Sequence, residues 1–137
     1  MAITQTMCTS FKVESWQGIH DLDTDVLKIA LYTSAATLDA STTVYSSSNE
    51  ASGGNYVAGG ATLTGAVLTS SGTIALADFN DVSWTGSITA RGALIYNSSK
   101  ADRAIAVLDF GADKSSTGTF TIQMPPADAA SAILRFA

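Results

Sequence analysis

The run His20-Asp21-Leu22-Asp23-Thr24-Asp25 is the sharpest candidate for chemistry in this chain. Alternating aspartates gather three carboxylates within one turn, as calcium loops do at their start. An EF-hand loop opening at Asp21 needs Gly at its sixth position and Glu at its twelfth, where this chain has Val26 and Tyr32. The match fails, no metal is expected, and Asp21, Asp23 and Asp25 read as a solvated acidic turn that could hold a cation only loosely. His20 is the sole histidine and Cys8 the sole cysteine, so transition-metal sites and nucleophile–base pairs lack the partners they require. His20 therefore reads as a capping or packing residue and Cys8 as a small buried hydrophobe.

Other carboxylates could form a glycosidase-like couple, which needs two groups about 5 to 10 Å apart across a sugar site. Glu50, Asp78, Asp81 and Asp109 are the candidates, and nothing in their spacing shows convergence; strand-end aspartates ordinarily satisfy turn amides. The glycines of GGNYVAGG are followed by neither a Lys-Ser/Thr pair nor a helix, so they form no phosphate loop. Asn97-Ser98-Ser99 fits the glycosylation sequon, a triplet common by chance. Trp16, Tyr32, Phe79, Trp84, Tyr96, Phe110, Phe120 and Phe136 are spread over the whole chain, which is the distribution of a packed core. The expectation is a protein that is not an enzyme and carries no cofactor.

The elements that must hold these residues are mostly strands. With 137 residues the chain suits one domain, 1–137, and its charged fraction of 14% falls well below the roughly one quarter usual for soluble domains. Much of the surface must then be Ser, Thr, Ala and Gly, which costs little to desolvate against a neighbour. A formal charge of −5 with scattered basic residues argues against nucleic-acid binding. No stretch approaches the ~20 apolar residues of a membrane span, and Met1–Ser10 lacks the basic start and apolar run of a secretory signal.

Thr9 to His20 predicts the one helix, capped by Thr9 or Ser10, with Phe11, Ser15 and Ile19 on one face, Val13 and Trp16 on another apolar edge, and Gly18 at its exit. From about residue 26 the chain reads as strands. VLKIALYT has the alternation of a half-buried strand, followed by a long loop over 34–60 that is rich in Ser, Thr and Gly. Loops of this length are usually functional or ordered by a partner. Strand patterns recur in ATLTGAVLTS, TIALADF, VSW, SITARGALIYN, AIAVLDF, TFTIQM and AILRF, with Gly111 to Gly118 as a polar connection. SITARGALIYN and AIAVLDF, joined by SSKADR, form the best hairpin, and Pro125-Pro126 should end TFTIQM, with DAAS turning the chain into the last strand. The fold class is mainly β: a single antiparallel β-sandwich, jelly-roll or Ig-like, with a short N-terminal helix.

Three phrases carry a likeness to known proteins: Ala30-Leu31-Tyr32-Thr33-Ser34, then Asn49-Glu50 through Gly53, Tyr56, Gly59-Gly60 and Leu63, then Arg91-Gly92-Ala93-Leu94-Ile95-Tyr96-Asn97. In order and spacing they resemble a family of small bacteriophage virion structural proteins, over most of the chain. The resemblance implies a particle component: a head decoration (cement) protein on the outer capsid, or a tail-fibre or tail-adaptor protein. It implies synthesis in the host cytoplasm, with the major capsid protein and copies of the chain itself as partners. The 34–60 loop and the segment before Phe11 are poor in core anchors and are the expected contact regions, with Tyr45, Asn49, Glu50 and Tyr56 as candidate partner-binding residues. A glycan- or receptor-binding module would instead expose Tyr45, Tyr56 and Trp84 together at one loop end.

Overall fold

Two long, nearly continuous apolar strands, β7 (Ile88–Asn97) and β8 (Arg103–Ser116), form the centre of the molecule. The computed structural model describes residues 3–124 and 134–136. β7 and β8 pair antiparallel through the turn over 98–102, from Asn97↔Arg103 to Ile88↔Ser116. Around this hairpin lie β1 (Thr6–Met7), β2 (Leu27–Tyr32) and β3 (Ala61–Thr62), giving a five-stranded antiparallel sheet in the order β1-β8-β7-β2-β3.

The remaining strands make two smaller antiparallel sheets. β5 (Ile74–Asp78) lies between β4 (Val67–Ser71) and β10 (Leu134–Phe136), and β6 (Val82–Thr85) pairs with β9 (Thr119–Ile122). One apolar core joins all three: Ile29, Leu94 and Ile105 from the large sheet meet Ala77 and Leu134 from the second and Trp84, Phe120 and Ile122 from the third. The result is a mainly β, sandwich-like arrangement with one short helix, as the alternating patterns require.

The helix α1 spans Thr9–Trp16 rather than running on to His20. Gln17 is its C-cap, and Gly18 at φ 74° sends its amide back to the Ser15 carbonyl at 3.2 Å, so Ile19 and His20 leave the axis and turn under it. Cys8, not Thr9 or Ser10, is the N-cap and gives no side-chain cap. Phe11 faces the core, while Val13 is 47% and Trp16 89% exposed, so Trp16 leaves the expected core set. Cys8 is fully buried, as a small hydrophobe would be, and burial pushes its thiol up to about 11.

Three strand expectations change. ATLTGAVLTS divides into β3 and β4, because Gly65 at φ 65° turns the chain between them. The polar run after Gly111 is strand up to Ser116, not a connection. A register shift between Ala90 and Gly92 renews the pairing past Gly111, with Thr89 Oγ1 and Ser115 Oγ 2.9 Å apart across it. β2 is buried along both faces at its C-terminal half, Ala30 and Tyr32 included, because the 34–60 segment folds over it. The expected stop at Pro125-Pro126 and the DAAS turn lie outside the described residues.

Candidate interaction surface

The 34–60 segment has no strand of its own, yet backbone hydrogen bonds stitch it to the sheet along its whole path. Leu38 lies beside Ile3 in a parallel bridge and accepts the Thr4 amide at 2.9 Å; Ala40 accepts from Thr9 at 2.9 Å. Further on, Val44 bridges Arg103, the Tyr45 amide donates to Asp102 at 2.9 Å and the Ala104 amide to Thr43 at 3.0 Å. The chain then returns to β2, where Glu50 bridges Tyr32, Thr33 donates to Asn49 at 2.9 Å and Ala51 to Leu31 at 2.8 Å. Finally the Asn55 amide donates to Thr85 at 2.8 Å, and Asn55 Oδ1 accepts the Thr85 amide at 2.8 Å. A loop with this many satisfied amides needs no partner to order it.

Glu50 is the knot of this stitching. Its Oε1 accepts from the Tyr45 hydroxyl at 2.6 Å, and its Oε2 accepts from the Tyr56 hydroxyl at 2.5 Å and the Gly59 amide at 2.8 Å. Tyr56 does double duty, because its hydroxyl oxygen also accepts the Leu31 amide of β2 at 2.8 Å. Tyr96 on β7 donates to the Gly59 carbonyl at 2.6 Å, and its ring stacks on Tyr45 with centroids 4.7 Å apart. Tyr32 on β2 donates to the Ser46 carbonyl at 2.6 Å. Asn49, in the left-handed region at φ 60°, is exposed and its side-chain amide donates to the Ala35 carbonyl at 3.3 Å. The candidate residues Tyr45, Glu50 and Tyr56 thus meet in one cluster with Asn49 beside it, each engaged inside the molecule. Tyr32 and Tyr96 complete the cluster and were not legible as members, since a tyrosine in an apolar strand gives no sign of where its hydroxyl reaches.

All four tyrosines of the chain belong to this cluster. Burial, reinforced by the nearby Glu50 carboxylate, pushes Tyr32, Tyr45 and Tyr56 far above the ordinary phenol value; burial and Asp102 raise Tyr96 to about 12. A raised folded-state value means the fold holds the protonated phenols, so their contribution is intact below pH 10 and is lost as pH rises from there through the raised values. Tyrosinate absorbance is expected to stay low through pH 10 and then rise in one step with loss of the β circular dichroism signal. A gradual titration at ordinary pH in a still-folded chain would contradict the cluster.

The acidic turn takes a different role from a cation loop. Asp21 Oδ1 accepts the amides of Asp23 at 3.1 Å and Thr24 at 3.3 Å, closing the turn on itself. Asp25 meets Lys100 Nζ through both oxygens at 2.9 Å, Asn97 Nδ2 at 2.8 Å and the Asp21 amide at 3.0 Å. Burial alone would raise the Asp25 carboxyl; the Asn97 and Asp21 hydrogen bonds and the Lys100 ammonium outweigh it and hold it at about 2. Among the described residues no group of three His, Cys, Asp or Glu is arranged to hold a metal.

His20 lies beneath this turn. Asn97 Oδ1 accepts the Ser99 amide and its Nδ2 faces Asp25, so Nδ2 must also donate to His20 Nδ1 at 3.0 Å. His20 Nε2 therefore carries the proton, donated to Glu14 Oε1 at 2.8 Å, while Glu14 Oε2 takes Arg103 at 2.8 Å. This network ties α1 to the β7–β8 turn. It also buries Asn97 completely, which removes the sequon from any enzyme acting on the folded chain.

The other three carboxylates of the proposed couple each accept from a separate partner within the fold. Asp78 accepts the Phe79 amide, Asp81 the Met124 amide, and Asp109 the Gly111 amide and Arg91. The Gly111 amide, then Arg91, holds the Asp109 carboxyl below the usual range. Trp84 is buried, with Tyr56 tilted against it at 5.5 Å, so the three rings of the glycan-platform expectation form no exposed group. Outside the cluster, the loop offers a groove of about 420 Å³ whose lining includes Thr37, Ser41, Thr43, Ser46, Ser48 and Asn49. Comparison with protein-family models, with curated proteins and with solved structures finds no match.

Proposed function

We propose that this chain is a structural protein of a bacteriophage particle, a decoration protein that covers joints on the outer capsid shell and works without making or breaking a covalent bond. The observation that carries the reading is the stitched 34–60 segment. Its charged and aromatic groups are turned to internal hydrogen bonds, and the exposed remainder is uncharged and mostly small: the hydroxyls of Ser34, Ser41, Thr43, Ser46, Ser47, Ser48 and Ser52, together with Val44 at 49% and Val57 at 70% exposure. Such a surface sheds water cheaply, and because the loop is already ordered, docking pays little conformational entropy. The sequence phrases resembling phage virion proteins sit at the joints of this construction. The major capsid protein and further copies of the chain are the partners this reading requires.

Particles purified from cells that make a tagged form of the protein test it. Cryo-electron microscopy is expected to show the label over the shell, in contacts burying on the order of 800 Å² per partner. Label confined to the tail would replace the decoration reading with a tail-adaptor or tail-fibre role. Particles free of the protein would end both.

A further inference from the structure

We propose that β4 is a pairing edge through which two copies of this chain join, fusing their three-stranded sheets into one six-stranded sheet. The inference rests on four features of Val67–Ser71. It is the outer strand of the β10-β5-β4 sheet, and among the described residues nothing pairs with its far side. It pairs with β5 without interruption, from Val67↔Asp78 to Ser71↔Ile74, so no bulge twists the edge away. All five residues are exposed on both faces, Val67 at 50% and Leu68 at 44%. And VLTSS contains none of the lysines, prolines or inward charges with which edges are ordinarily blunted.

A second copy is the occupant that charge favours. The chain carries a net −5, so two copies repel wherever their acidic surfaces meet, yet no charged residue lies between Glu50 and Asp78. The β4–β5 arm occupies the C-terminal part of that uncharged stretch, with Asp78 at its far end. Antiparallel pairing of one strand with its own copy is closed by a two-fold axis, so it makes a dimer that uses up both β4 edges, with β10 as the outer strand at each end. Leu68 lines an apolar groove of about 300 Å³ with Met7, Phe11, Leu22, Leu76 and Leu134, and the partner strand would extend the wall of that groove.

The backbone geometry tells which substitution blocks the edge without harming the arm. Ser71 and Ile74 flank the two-residue connection Gly72-Thr73, with Gly72 at φ 60°, so Ser71 and Ile74 exchange hydrogen bonds and the amide of Ser70 points outward. Ser70→Pro deletes that outward donor and leaves the bonds to β5 in place.

Five paired residues per copy make a small interface, so the dimer belongs at the weak end and mass must be followed over concentration, from about 1 µM to 1 mM. Sedimentation velocity of the full chain is expected to show mass rising toward twice the monomer. Ser70→Pro and Thr69→Lys should each weaken association at least tenfold with an unchanged melting temperature. A wild-type chain that stays monomeric throughout overturns the proposal. So does a dimer that survives both substitutions, or a monomer that uses β4 to bind the particle. The proposal deepens the reading above by giving its self-association a surface; because mass is measured on isolated protein, its failure is distinct from absence of the protein from particles.

Discussion

Replacing Glu50 by alanine is expected to destabilise the fold by about 3 kcal/mol, since the one carboxylate accepts three hydrogen bonds and each charge-assisted bond contributes about 1.5 to 3 kcal/mol, less than additively. The loss has a distinctive location. Tyr45, Tyr56 and the Gly59 amide are left without an acceptor, and Tyr56 is the group through which Leu31 of β2 is tied to the loop. Amide exchange should therefore rise over 43–60 while β7 and β8 stay protected. Glu50→Gln separates charge from shape. Its carbonyl oxygen can still accept from Tyr45, but its NH2 then faces a Tyr56 hydroxyl that already receives the Leu31 amide, so about half the loss should return. If Glu50→Ala and wild type melt together in urea, the carboxylate is not the knot described above.

Gly60→Ala is expected to cost about 4 kcal/mol or more, because a β-carbon there makes the shortest backbone contact of any glycine in the chain. Gly60 sits at φ 82°, and an added Cβ would land on the Ile29 carbonyl oxygen of β2, a rigid backbone atom that cannot swing aside. Left-handed strain contributes about 1 kcal/mol, and the clash must be relieved by parting the loop exit from β2, which breaks the Lys28↔Thr62 and Ile29↔Ala61 pairs. Gly72→Ala is the control: its φ is also positive, at 60°, but the space around it is open, so only the strain should appear. Equal effects of the two substitutions in denaturant titrations would show that Gly60 matters for its dihedral alone.

The strands were legible where side chains alternate or run apolar, and illegible where polar residues pair. VLKIALYT, SITARGALIYN and AIAVLDF announce themselves, and SSKADR between the last two marks the hairpin that β7 and β8 make. Residues 112–116 are strand with a solvent-facing pattern, so composition reads them as a connection. β1 is two residues long and exists only because β8 has a free edge for it. Trp16 was misplaced because the helix pattern cannot say which apolar edge the body of the protein will meet. For the interaction surface, the sequence isolated Tyr45, Asn49, Glu50 and Tyr56 as a group but gave them an outward role. A carboxylate flanked by tyrosines at −5 and +6 looks the same whether it faces a partner or its own chain.

The stitching of residues 34–60 also sets an order of events in time. Its bonds reach Thr4, Thr9, Leu31, Thr85, Asp102 and Ala104, positions separated by up to a hundred residues, and those to Asp102 and Ala104 need β8 to be in place beside β7. Docking of the loop is therefore expected to follow the rate-limiting step of folding, in which case its hydrogen bonds slow unfolding and leave the folding rate alone. In Glu50→Ala the unfolding limb of the chevron should rise while the folding limb stays where it is. On that outcome the molecule's endurance would be a matter of slow escape from the native state, a property that outlasts the machinery that folded it.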